Sequence, residues 1–173
     1  LIFGTSTTYG AWDKEGGWTA RLRRYLDDKQ LKSPELYYVV YNLGISGDTT
    51  KGILERIEFE AKQRLKLLGK GEEVVLLVQA GANDSVINNK TNRFNVSIKD
   101  YEGNIEKITE IAKRITNKIV FVGNKPVNEK LVNPIPWIPE CSLFNKDIER
   151  YESKGKEICM KNKVLFIDFF SNS

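Results

Sequence analysis

The run Val74-Val75-Leu76-Leu77-Val78 constrains this chain more than any other five residues. A strand that is apolar at every position, rather than at alternate ones, must be covered on both faces. That places it inside a parallel sheet with helices above and below. Shorter runs repeat the theme, and strands are expected over residues 1–4, 37–43, 73–79, 118–122 and 163–167. Helical periodicity fills the intervals. One stripe is Trp18, Leu22, Tyr25 and Leu26; a second is Ile53, Ile57, Ala61, Leu65 and Leu68. A third is Ile105, Ile108, Ala112 and Ile115, and a fourth is Phe144, Ile148, Tyr151 and Ile158. All four stripes are expected in the core. The alternation predicts an α/β fold, a three-layer α/β/α sandwich around a parallel five-stranded sheet, as one domain over residues 1–173.

Composition narrows the functional classes. The net charge of +4 is spread along helices among Glu and Asp, so it reads as solvated helix faces and no nucleic-acid partner is expected. Cys141 and Cys159 are too few for a disulfide framework and match no metal spacing, which favours a reducing compartment such as the cytoplasm. No apolar stretch approaches the ~20 residues of a membrane span. Neither Gly-x-Gly-x-x-Gly nor a Gly-Lys-Ser/Thr phosphate loop is present. No metal or cofactor is expected, and the oligomeric state cannot be read. The chain opens at Leu1-Ile2-Phe3, already inside a strand, and closes just past another, so both ends are expected to be cuts.

Three turns follow strand ends and carry the residues able to do chemistry. Gly4-Thr5-Ser6 places a hydroxyl at the rim of the sheet, where Ser6 is either a nucleophile or a turn serine bonded to a local donor. In Ser46-Gly47-Asp48, the Gly47 N–H can face an oxyanion while Asp48 caps a helix starting at Thr49. In Gly81-Ala82-Asn83-Asp84, the Asn83 amide is a donor at the same rim, or else part of a simple turn. Two long connections follow strand ends as well: the Asn-rich stretch 82–97, and 123–141 with Pro126, Pro134, Pro136, Pro139 and Trp137.

The three blocks in this order resemble the SGNH hydrolases, also called GDSL esterases and lipases, whose fold is flavodoxin-like. The stretches Val122 to Glu129 and Phe166-Ile167-Asp168 are similar to that family's fourth-strand loop and fifth strand. The resemblance implies an ester hydrolase with Ser6 as nucleophile and an oxyanion hole of the Ser6 and Gly47 N–H groups with the Asn83 side chain. It implies a small-molecule or carbohydrate ester as substrate, short acyl groups fitting the polar loop 88–92 best, with Thr5, Asp84 and Trp137 as candidate substrate contacts. Two departures stand out. Thr5 occupies a position where the family usually has Asp, and the final Asp-x-x-His block is missing, since the chain contains no histidine. Asp168 is expected to be a strand-end residue, with the true Asp and His beyond Ser173. The alternative is a non-catalytic flavodoxin-like domain that binds a small molecule or carbohydrate.

Overall fold

In the computed structural model, which describes residues 1–33 and 35–171, the five expected runs form one parallel sheet. β1 (Ile2–Gly4) lies between β2 (Asn42–Gly44) and β3 (Val75–Val78). Beyond β3 come β6 (Lys118–Val122) and then β8 (Leu165–Ile167) at the far edge. The all-apolar run thus occupies the middle, as its composition requires, and every pairing is parallel.

The two faces are covered unequally. α3 (Thr50–Arg64), α4 (Ile98–Ile115) and α5 (Asn145–Lys161) pack side by side on one face. There Leu76, Val78 and Phe121 meet Ile53, Ile57 and Ile108 in a single core, and each fully buried aliphatic side chain contributes about 2 kcal/mol. Strand alternation turns Leu77 and Gln79 to the opposite face, where Trp18 of α2 (Gly17–Lys32) donates from its indole N–H to Gln79 Oε1 at 3.0 Å. The start of α2 is fixed by polar bonds: Thr19 donates to the Thr8 carbonyl at 2.7 Å, and Asn42 Nδ2 donates to Thr19 Oγ1 at 2.9 Å.

The α2 stripe departs from expectation. Trp18, Leu22 and Leu26 are only half-buried and Tyr25 is 56% exposed. α2 is anchored at its first turn and makes no core contact of the kind α3 and α4 make. Val75, Leu165 and Ile167 on this face also remain exposed.

Strand ends contract where neighbours run out. The Tyr41 carbonyl still accepts from the Ile2 N–H at 3.0 Å, but residues 37–40 do not pair, and Tyr37 and Val39 point into solvent, because β2 is an edge strand whose one partner, β1, is itself short. The two long connections are not independent loops. β4 (Ile87–Asn88), β5 (Arg93–Phe94) and β7 (Cys141–Ser142) form an antiparallel sheet that ties the first connection to the second. Among the described residues, no helix is long and apolar enough to cross a membrane.

Candidate active site

The site is assembled where β1, β2 and β3 end. Gly4 is in register with Gly44, and the Ile45 N–H continues the ladder to the Gly4 carbonyl at 3.0 Å. Gly44 is required for this closeness, since a Cβ there would fall 2.8 Å from the Thr5 carbonyl oxygen. Ser6 opens the short helix α1 (Ser6–Tyr9), with Thr5 extended before it. The Ser6 carbonyl accepts from the N–H groups of Gly10 and Ala11 at 2.9 and 3.0 Å, so its backbone is fixed. Its hydroxyl is half-buried and has no hydrogen-bond partner among the described residues, which argues against the turn-serine reading.

Gly47 sits in the adjoining turn with φ +81, a left-handed conformation that disfavours a side chain. It is exposed, and no hydrogen bond engages its N–H among the described residues. Asn83 reaches this same turn, donating from Nδ2 to the Asp48 carbonyl at 2.8 Å. A primary amide has two N–H groups, so one remains for a ligand. The Asn83 backbone carbonyl is in turn held by Asn95 Nδ2 at 2.9 Å.

Arg56, which the sequence reading missed, braces the assembly. Its guanidinium donates to the Gly4 carbonyl at 3.2 Å and to Asp48 Oδ2 at 3.0 Å, and pairs with Glu60 at 2.9 Å. It thereby links the strand carrying Ser6 to the turn carrying Gly47. The available signal was an arginine one turn after Ile53 on a helix otherwise buried along that side.

Two of the residues expected to touch substrate lie underneath the site. Asp84 is fully buried, and both of its oxygens accept from the Thr50 N–H at 3.0 and 3.2 Å. The Thr50 hydroxyl also donates to it, and Asn104 donates to that hydroxyl at 3.0 Å. Burial raises the Asp84 pKa and the bonds from Thr50 oppose the rise. Asp84 therefore takes the first N–H of α3, the capping role assigned to Asp48 from the sequence; the Asp48 side chain instead accepts from the Thr49 N–H ahead of the helix and pairs with Arg56. Thr5 is 3% exposed and supports the first turn of α1 by accepting from the Tyr9 N–H at 2.8 Å. Trp137 is 61% exposed at the tip of the proline-rich connection.

A second buried polar group pins the loop bearing Asn83. Asn124 Nδ2 donates to the Ala80 carbonyl at 2.9 Å and to Glu152 Oε1 at 2.5 Å. Gly123 makes room for this carboxyl, since a Cβ there would stand 2.7 Å from Glu152 Oε2. That oxygen is buried without a partner among the described residues, and burial pushes the Glu152 pKa up to about 7.

Asp168 directly follows β8. It accepts from the Ser171 N–H at 2.9 Å and from Lys156 at 2.9 Å, and chiefly the Ser171 N–H holds its pKa down to about 2. β8 is the third strand from β1, so at ~4.8 Å per strand it lies about 14 Å to the side of the Ser6 strand. Asp168 therefore stands apart from Ser6. Cys141 and Cys159 are buried free thiols, and no cluster of metal-ligating side chains occurs among the described residues.

Comparison with known proteins gives the family and the fold. The model of the GDSL-like Lipase/Acylhydrolase family matches residues 2–173. The fold is similar to a lipase/acylhydrolase from Enterococcus faecalis, with TM-score 0.67 and 22% identity over 99% of this chain and 75% of that one. It is also similar to a catalytic mutant of Axe2, an acetylxylan esterase from Geobacillus stearothermophilus, with TM-score 0.69 and 18% identity over 99% and 75%. AlinE4, an SGNH-hydrolase family esterase, aligns with TM-score 0.64 and 21% identity over 99% and 76%. No curated protein matched by sequence.

Proposed function

The chain belongs to the GDSL-like lipase/acylhydrolase family, and from that premise we propose that it carries the nucleophile and oxyanion hole of a serine ester hydrolase. The observation that carries this reading is the convergence of three groups without a partner among the described residues: the Ser6 hydroxyl, the Gly47 N–H and a second amide N–H of Asn83.

In the proposed reaction Ser6 Oγ attacks the ester carbonyl carbon and its proton passes to a base. The carbonyl oxygen becomes an oxyanion held by the N–H groups of Ser6, Gly47 and Asn83. The C–O bond to the alcohol then breaks, leaving an acyl group on Ser6 that water removes in a second, similar step. Each oxyanion donor lowers the barrier by about 3 kcal/mol. These 173 residues include no histidine, and in this reading the base comes from elsewhere in the protein. The chemistry requires neither metal nor organic cofactor.

For substrate we favour short acyl esters, acetyl esters of carbohydrates above all. The exposed turn Asn89-Lys90-Thr91-Asn92 makes a wet, polar rim, and a fold neighbour is an acetylxylan esterase. The lack of histidine favours a second reading, a domain that binds such molecules without cleaving them. Incubating the chain with a fluorophosphonate, with imidazole as external base, separates the two. Label confined to Ser6 and lost in Ser6→Ala supports the hydrolase; label elsewhere, or none, favours the binding domain.

A further inference from the structure

Two tryptophans far apart in the chain meet at the surface and stay largely exposed. Trp12 is 82% exposed and Trp137 is 61% exposed, yet their ring centroids lie 4.9 Å apart at an interplanar angle of 50°. Trp12 follows α1, the helix that begins at Ser6, and Trp137 lies in the connection after β6. Both connections leave the carboxyl ends of parallel strands, so the pair stands at the same end of the sheet as Ser6.

Neither residue is placed by core packing. Trp12 has φ +60, a left-handed conformation that strains a bulky side chain. The backbone around it is nevertheless fixed: the Ala11 N–H donates to Ser6, the Asp13 N–H donates to Gly10, and Asp13 pairs with Arg21 at 2.8 Å. On the other side, the Ile138 N–H donates to Ile135 and the Cys141 N–H to Ile138, while Ile135 itself is buried. Two anchored loops thus hold two wetted indoles in contact, an exposed apolar surface of the kind that marks a binding site.

We propose that the Trp12–Trp137 pair is a stacking subsite for a pyranose ring in the alcohol part of the ester. The proposal rests on the ester-hydrolase reading and specifies where its carbohydrate would lie. The rings touch each other, so a ligand meets their outer faces, which are inclined and open to water. A pyranose matches such a surface, because its C–H face stacks on an indole while its hydroxyls point outward to solvent and polar side chains. The polar turn 88–92 is close at hand: the Asn89 N–H donates to the Glu140 carbonyl at 2.8 Å, beside the segment bearing Trp137. An acyl chain fits less well, since it needs an enclosure that indoles this exposed do not provide.

The test is a titration of the 173-residue chain with xylotetraose and cellotetraose, followed by tryptophan fluorescence. A saturable blue shift is expected with at least one of them. Trp137→Ala and Trp12→Asn, the latter chosen because Asn accepts a left-handed backbone, should each weaken binding roughly tenfold. Tyr25→Ala, which removes an exposed aromatic of α2, should leave it unchanged. No saturable shift with either sugar, or binding that survives both tryptophan substitutions, overturns the proposal. Sugar binding without any labelling of Ser6 would leave the subsite standing and remove the hydrolase. Ser6-dependent ester cleavage without sugar binding would remove the subsite alone.

Discussion

Glu152→Gln should change how the stability of this protein depends on pH. The carboxyl is 6% exposed, and among the described residues Oε2 has no partner while Oε1 accepts from Asn124. Burial raises its pKa from 4.5 to about 7. A carboxyl with a raised folded-state pKa binds more protons when folded than when unfolded, so stability falls as pH rises between those two values. At about 1.36 kcal/mol per pH unit, ionisation of Glu152 removes about 3 kcal/mol between about pH 4.5 and about pH 8. Gln keeps the acceptor for Asn124 and cannot ionise. The neighbouring groups do not titrate in this window: burial pushes the Cys159 thiol to about 12 and raises Tyr101, while Asp168 stays near 2. Urea unfolding of both proteins across this range gives the difference directly. The variant should gain on the wild type by about 3 kcal/mol from the acid to the alkaline end, or about 6–12 °C in melting temperature. A stability difference that does not vary with pH would refute the reasoning and mean that Glu152 is ionised and solvated at no cost.

Other perturbations test the brace and the cap. Arg56→Met takes from Asp48 its ion-pair partner and leaves Glu60 its other pair with Arg64 at 3.2 Å; the Arg56 pairs are mostly buried at 14% and 11–19% side-chain exposure, and the change should cost about 3 kcal/mol in urea unfolding; a loss indistinguishable from zero would show that the guanidinium does not hold the two turns together. Asp84→Ala leaves the Thr50 N–H and hydroxyl without an acceptor in the interior and should cost about 2–4 kcal/mol, whereas Asp84→Asn, which retains an acceptor oxygen, should cost less. Equal losses from Ala and Asn would argue against the capping role.

What the sequence made legible was local or periodic. Residues 75–78 and 118–122 declare themselves because central strands are apolar on both sides, and α3 and α4 because Ile53-Ile57-Ala61 and Ile105-Ile108-Ala112 keep a helical period. The first two strands were expected to lie side by side from the alternation, and the Gly4–Gly44 register shows that they do. The unread part depends on pairs far apart in the chain. Asp84 finds Thr50, Asn124 finds Glu152 and Trp12 finds Trp137 across separations that no motif records. The sheet joining the two long connections was missed because strands of two residues have no period to detect. Residues 37–40 misled for the opposite reason: strand-like residue types there meet no partner strand.

The central claim is that Ser6 is the nucleophile, served by Gly47 and Asn83, with its base lying outside these residues. The most direct measurement is acetyl transfer from 4-nitrophenyl acetate to the 173-residue chain, with and without imidazole, in the wild type, Ser6→Ala and Asn83→Ala. Without imidazole the wild type should barely exceed the protein-free rate. With it, an acetyl group should accumulate on Ser6, be absent from Ser6→Ala and form roughly 10²–10³-fold more slowly in Asn83→Ala. Equal rates in the wild type and Ser6→Ala at every imidazole concentration would contradict the claim, and fast Ser6-dependent turnover without imidazole would place a base within the chain.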